Sequence, residues 1–227
     1  TMMSVLILLA AVSITAIIAG VVAVRLKNSR KGTTRETLSN MDIHIPVGRG
    51  RHPVIFLAHN GFVQKDAWED FPDELADKGY AVVNMGWTEF EGGEDFRRNI
   101  DVVMDRYGKR VNFMRAAFIG GCHGGIKILA AMEKKLPCMP KALVFLSMSE
   151  KYPAPARHAP ILGMYSIRDH LGDEYIETQK AVYERVLTEP KMVIPLDATP
   201  HGNELVTDST TKTHVRDGIR IWLKKHL

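Results

Sequence analysis

Short unbroken apolar runs recur along this chain with helical stretches between them, and that alternation constrains its fold more than any other feature. Residues 54–58 (Val-Ile-Phe-Leu-Ala), 81–85, 116–119, 142–146 and 161–165 are each too short for a helix and too apolar for a strand with a wet face. They read as strands covered on both sides. A further strand is predicted over 191–196, and the alternating stretch 41–46 is an early strand ended by Gly48-Arg49-Gly50. Between these lie helices predicted over 66–78, 94–107, 124–135, 174–187 and 211–227; the last buries Val215, Ile219, Trp222 and Leu223 along one face. Such an order calls for an α/β fold, a mostly parallel sheet with helices on both faces. In such sheets ligands bind beyond the carboxyl ends of the strands. The loops after Ala58, Ile119, Tyr165 and Leu196 are therefore where chemistry belongs.

The N-terminal segment obeys a different rule. Residues 2–24 contain no charged side chain, and a helix of that length spans a hydrocarbon core of roughly 30 Å. A cleaved signal peptide would carry a basic start, and a core helix would carry more of a polar stripe than Ser13 and Thr15 give. A single transmembrane anchor is expected over 1–25, then a polar linker over 26–40 and the α/β domain over 41–227. Arg25, Lys27, Arg30 and Lys31 follow the span directly, which places the domain on the cytoplasmic or organelle-interior side. Two cysteines among 227 residues make no disulfide framework, and their neighbours lack zinc-site spacing, so no metal is expected. The net charge of +4 comes without a basic stripe interleaved with aromatics, so nucleic acid is not an expected partner.

The loop after Ile119 reads Gly120-Gly121-Cys122-His123-Gly124-Gly125 and runs straight into a helix. A nucleophile on a tight strand-to-helix turn is crowded by both elements, and small residues two before and two after it relieve the crowding. Gly120 and Gly124 hold those places around Cys122. The helix start also lowers a thiol's pKa and offers main-chain N–H groups to a developing oxyanion. Two plainer readings exist. A phosphate cradle would need G-x-x-x-x-G-K-[ST], which is not met because Ile126 follows Gly125. A buried, inert cysteine remains open on this loop alone.

Two other loops favour the nucleophile. Asp169 lies just past the strand ending at Tyr165, and His201 just past the strand ending at Leu196. Cys122, Asp169 and His201 are the expected catalytic residues, in the order nucleophile, acid, histidine. Asp173 and Asp197 are alternative acids, while His214 and His226 read as surface residues. Gly61, in Ala58-His59-Asn60-Gly61, and His123 are expected to supply the oxyanion-hole amides; His59 reads as structural. Met85, Trp87 and Phe90 are candidates for one wall of a cleft, and the short connection over 151–160 leaves little material for a lid.

These residues carry a resemblance. The region from Val54 to Met85, the cysteine turn and the spacing to Asp169 and His201 resemble the α/β-hydrolases, and within them the dienelactone hydrolase branch, from about Ile43 onward. The resemblance implies an α/β-hydrolase fold and a Cys-His-Asp triad that hydrolyses a small acyl ester, thioester or lactone without a cofactor. It also has a departure: dienelactone hydrolases carry a glutamate in the oxyanion loop, and His59-Asn60-Gly61 has no carboxylate, which weighs against dienelactone as the substrate. From another class comes the reading of a catalytically silent scaffold, a hydrolase-fold subunit with partner subunits in the membrane.

Overall fold

In the computed structural model of the chain, which describes residues 32–38, 40–61, 63–87, 92–148, 159–185 and 188–227, eight strands form one sheet. The strands are β1 (Thr33–Leu38), β2 (Met41–Pro46), β3 (His52–Ala58), β4 (Ala81–Met85), β5 (Val111–Gly121), β6 (Ala142–Leu146), β7 (Ile161–Ser166) and β8 (Lys191–Leu196). The helices are α1 (Phe71–Asp77), α2 (Glu94–Tyr107), α3 (His123–Met132), α4 (Asp173–Arg185) and α5 (Lys212–His226). The spatial order is β1-β2-β4-β3-β5-β6-β7-β8; the β1–β2 and β2–β4 pairs are antiparallel and the remaining pairs parallel.

The two-sided burial of the central strands explains their unbroken apolar sequence. Successive side chains point to opposite faces of a sheet, so in β3 Val54, Phe56 and Ala58 enter one core layer while Ile55 and Leu57 enter the other. The first layer lies under α2, α3 and α4, where Phe96 stands edge-on to both Phe56 and Phe118 at centroid distances of 6.3 and 5.1 Å. The second lies under α1 and α5 and takes Phe71, Leu75, Val215, Ile219, Trp222 and Leu223. Both faces being covered, the carboxyl edge of the sheet is left for a site.

The structure differs from the sequence expectation in three places. The stretch read as a linker contains β1, paired to β2 from Thr33↔Pro46 to Leu38↔Met41; an edge strand with one half-wet face carries polar residues and so looks like a linker. The helix expected over 66–78 is split into a 3-10 turn (Lys65–Trp68) and α1, because Pro72 cannot sit inside a helix and instead occupies the first turn of a new one. Strand β5 is far longer than 116–119 and shifts register against β3 between Pro53 and Val54. The expected anchor over 2–24 and most of the 151–160 connection lie outside the described residues. Among the described residues no helix is long and apolar enough to cross a membrane.

Arg216 of α5 ties the second layer together. Its side chain is buried; it donates from Nε to the Val206 carbonyl at 2.7 Å, from Nη1 to Glu74 at 2.7 Å and from Nη2 to Asp70 at 2.8 Å. The guanidinium also lies 5.1 Å from the Phe71 ring centroid. Hydrogen bonds to charged groups contribute about 1.5–3 kcal/mol each, and partial exposure of the two acids puts this cluster at the lower end. Arg216→Ala should therefore lower unfolding free energy by about 2 kcal/mol in denaturant titration, and Arg216→Lys should recover only part of it, because an ammonium cannot match the planar fork.

Candidate active site

Where β5 meets α3, Cys122 takes φ 47° and ψ −114°, a conformation rarely adopted by a non-glycine residue. Backbone strain of this kind costs about 1–3 kcal/mol and persists only where neighbours over-determine it. Here the Cys122 N–H donates to the Leu146 carbonyl at 2.8 Å and the Cys122 carbonyl accepts from Gly125 at 2.9 Å. Crowding accounts for the flanking glycines. A Cβ on Gly124 would lie 2.1 Å from the Ala58 carbonyl oxygen, and one on Gly120 would lie 2.5 Å from the Gly125 nitrogen. Strand and helix pack backbone against backbone at this turn.

The loops after β7 and β8 zip together, and their pairing delivers the other two groups. Ile167 donates to the Leu196 carbonyl, Arg168 to that of Ala198 and His170 to that of Thr199, at 2.8, 3.1 and 3.0 Å; the Ser166 hydroxyl donates to the Pro200 carbonyl at 2.6 Å. Asp169 and His201 thereby face each other, with His201 Nδ1 2.6 Å from Asp169 Oδ2 and both residues buried. The carboxylate is held from two further directions: Oδ1 accepts the Leu171 N–H at 3.0 Å and Oδ2 the Gln179 amide at 3.2 Å. Neither alternative acid reaches the histidine: Asp197 is exposed and paired with Arg168 at 2.8 Å, and Asp173 stands exposed at the start of α4.

With Nδ1 committed to Asp169, His201 Nε2 is buried without a bond of full hydrogen-bond geometry, and the Cys122 thiol is its other strong electrostatic partner. The electrostatics follow from burial against partners. Burial alone would push the Cys122 thiol up, but hydrogen bonding to His123 and then to His201 brings it down to about 7. Burial works against a charged His201, yet Asp169 and Cys122 push it up to about 9. Asp169 is held below the usual carboxylate range, its burial outweighed by His201 and the Leu171 amide. Thiol and imidazole shift in the directions that favour a thiolate–imidazolium pair, each stabilising the charge on the other.

The loop after β3 closes the opposite side. A Cβ on Gly61 would lie 3.0 Å from the His123 ring, so Gly61 and the first residue of α3 face each other beside Cys122. The Asn60 N–H donates to Asn203 Oδ1 at 2.9 Å, linking this loop to the one that carries His201. His59 is structural, as the sequence suggested: it is buried, its Nδ1 lies 2.6 Å from the Asn60 carbonyl, and its ring stacks on Trp87 at 3.7 Å. Behind Trp87, Lys127 Nζ sits 5.5 Å from the indole centroid and pairs with Asp95 at 2.9 Å. Trp87 thus belongs to this wall, Met85 is fully buried in the core, and Phe90 lies outside the described residues. Among the described residues no cluster of three or more His, Cys, Asp or Glu is arranged to hold a metal.

Gln179, Asn203 and the Lys127–Asp95 pair escaped sequence reasoning. A polar residue on an otherwise amphipathic helix, or two positions past a histidine, carries no signal of what it will meet. Lys127 alone had a cue, a charge in the apolar stretch Ile126–Ala131 of α3.

No protein-family profile matches the chain, and no curated protein matches it in sequence. Solved structures do. It is similar to a carboxyl esterase 2 from the mycorrhizal fungus Tuber melanosporum (TM-score 0.69, 15% identity, covering 88% of this chain and 89% of that one). It is also similar to a dienelactone hydrolase from Anabaena variabilis (TM-score 0.65, 17% identity, 88% and 95%) and to esterase B from Lactobacillus rhamnosis (TM-score 0.64, 14% identity, 95% and 94%). The chain has the α/β-hydrolase fold.

The two cysteines should be distinguishable by alkylation. Burial pushes the Cys138 thiol up to about 12, with Asp101 adding to it. Cys122 should react with iodoacetamide with a midpoint near pH 7, while Cys138 should label at least about 100-fold more slowly at that pH, since the thiolate is the nucleophile. Peptide mapping by mass spectrometry separates the two.

Proposed function

We propose that the chain is a hydrolase of carboxylic esters, thioesters or lactones in which Cys122 is the nucleophile, His201 the general base and acid, and Asp169 the group that orients His201. The observation that carries this reading is the buried 2.6 Å contact between His201 and Asp169, beside a thiol on a strained strand-to-helix turn that is electrostatically coupled to the same histidine. The esterases and the dienelactone hydrolase of similar fold support the reaction class.

In the proposed cycle the Cys122 thiolate adds to the acyl carbonyl while the main-chain amides of Gly61 and His123 stabilise the oxyanion. Collapse breaks the bond to the leaving group, which takes a proton from His201. That transfer is favoured at this moment, because acylation removes the negative sulfur that supported the imidazolium and leaves only Asp169. His201, now neutral, takes a proton from water, whose oxygen attacks the thioester; expulsion of the thiolate restores the ion pair. Asp169 stays ionised throughout, its two extra hydrogen bonds favouring the charged form. Residues 2–24 are proposed to anchor this domain to a membrane, with the basic residues that follow on the same side as the domain.

Hydrolysis of p-nitrophenyl acetate by the full chain tests the assignment. Cys122→Ala should abolish turnover, and Asp169→Asn should lower kcat by about 10³–10⁴-fold with KM little changed, since the role of such a carboxylate is exercised in the transition state. Absence of turnover by the unaltered chain across a panel of short esters, thioesters and lactones would leave the scaffold reading in its place.

A further inference from the structure

A second imidazole touches the sulfur. His123 Nδ1 lies 3.4 Å from Cys122 Sγ, within hydrogen-bonding range for sulfur. Gly61 lies beside the ring: a Cβ at that position would be 3.0 Å from His123 Cγ and 3.1 Å from Nδ1. Helix α3 begins at His123, so the ring's own backbone is as constrained as the turn before it. We propose that the His123 side chain is a catalytic residue in its own right, a second proton acceptor that holds Cys122 as a thiolate independently of His201 and can serve acylation without it.

This rests on the proposed acyl chemistry and adds to it a second route for one proton. The thiol S–H proton passes to His123 Nδ1, and the thiolate so formed attacks the acyl carbon. The tetrahedral intermediate then collapses, the bond from carbon to the leaving oxygen breaks, and that oxygen takes the proton back from the His123 imidazolium. The products are a thioester on Cys122 and an alcohol, and nothing is oxidised or reduced. Deacylation remains with His201, which Asp169 orients for the attack of water. His123 therefore has two separable contributions at the site, one from its main-chain amide and one from its ring.

Among the described residues, the groups that act on the sulfur come from different elements. His201 follows β8, with Asp169 behind it after β7, and His123 opens α3. Tyr183 of α4 feels the sulfur's charge only weakly; burial chiefly keeps its phenol protonated, and its hydroxyl donates to the Phe145 carbonyl at 3.0 Å. On the other side, His59 is kept neutral chiefly by burial, while Lys127 and Asp95 offset each other's charge. Among the described residues, the two imidazoles are thus the groups that favour the thiol's ionisation. Both act in the same direction, each by hydrogen bonding and by charge, against the burial that raises the thiol.

The experiment is the pH profile of iodoacetamide labelling at Cys122 in the full chain, with Cys138 as internal reference, for the unaltered protein, His201→Asn, His123→Asn and the double variant. His201→Asn should keep a labelling midpoint below that of an ordinary thiol at ~8.5 and should release one equivalent of p-nitrophenol in a burst without turnover. His123→Asn should move the midpoint upward by about one pH unit, and the double variant should label as an ordinary or buried thiol. His123→Gln and thermal melts of each variant separate loss of the ring from loss of the fold. An unchanged profile in folded His123→Asn and His123→Gln, or loss of the low midpoint in His201→Asn alone, would overturn the proposal. The labelling readout does not need turnover: no ester hydrolysis with a His123-dependent profile would sink the proposed function and leave the thiol–His123 pairing standing.

Discussion

The backbone at Cys122 is the constraint on which the rest of the site depends. A non-glycine residue at φ 47° sits where β5 stops and α3 starts, and no turn of ordinary conformation would bring helix and strand so close. Gly124 against the Ala58 carbonyl and Gly120 against Gly125 permit the approach, and the Leu146 carbonyl holds the Cys122 N–H. The consequence is positional. Cys122 stands at the carboxyl edge of the sheet, at the start of a helix, between the loop after β3 and the loop after β8.

What the turn positions, burial and partners then charge. Burial opposes every charge in the site, so the shifts that favour charge come from specific neighbours: two imidazoles lower the Cys122 thiol, Asp169 and the sulfur raise His201, and His201, the Leu171 amide and Gln179 lower Asp169. The two loops that carry Asp169 and His201 are zipped by main-chain hydrogen bonds, and Asn203 ties the second of them to the loop after β3. The same low-dielectric surroundings that make an unpaired charge costly make these pairs strong.

Much of this was legible before any coordinates. Continuous apolar runs announced covered strands, because a strand packed on both faces has no polar phase to show. The glycines around Cys122 were legible for the same steric reason that the turn needs them, and the loops carrying Asp169 and His201 were placed by strand order alone. What remained hidden was relational. Nothing in the sequence distinguishes Gln179 from a surface glutamine, or shows that β1 pairs with β2 rather than serving as tether, because edge strands and linkers share a polar composition. The sequence points to the His123 amide and not to its ring, since only geometry shows that the ring lies against the sulfur.

The proposed chemistry requires one species that no scaffold would form, an acyl thioester on Cys122. Intact-mass measurement and peptide mapping of the full chain, quenched in acid shortly after mixing with a short-chain acyl ester, detect it directly. A single acyl group on the peptide containing Cys122, absent from Cys122→Ala and decaying as product appears, is the predicted result. Turnover with no adduct on Cys122, or acylation spread over surface lysines with no turnover at all, would contradict it.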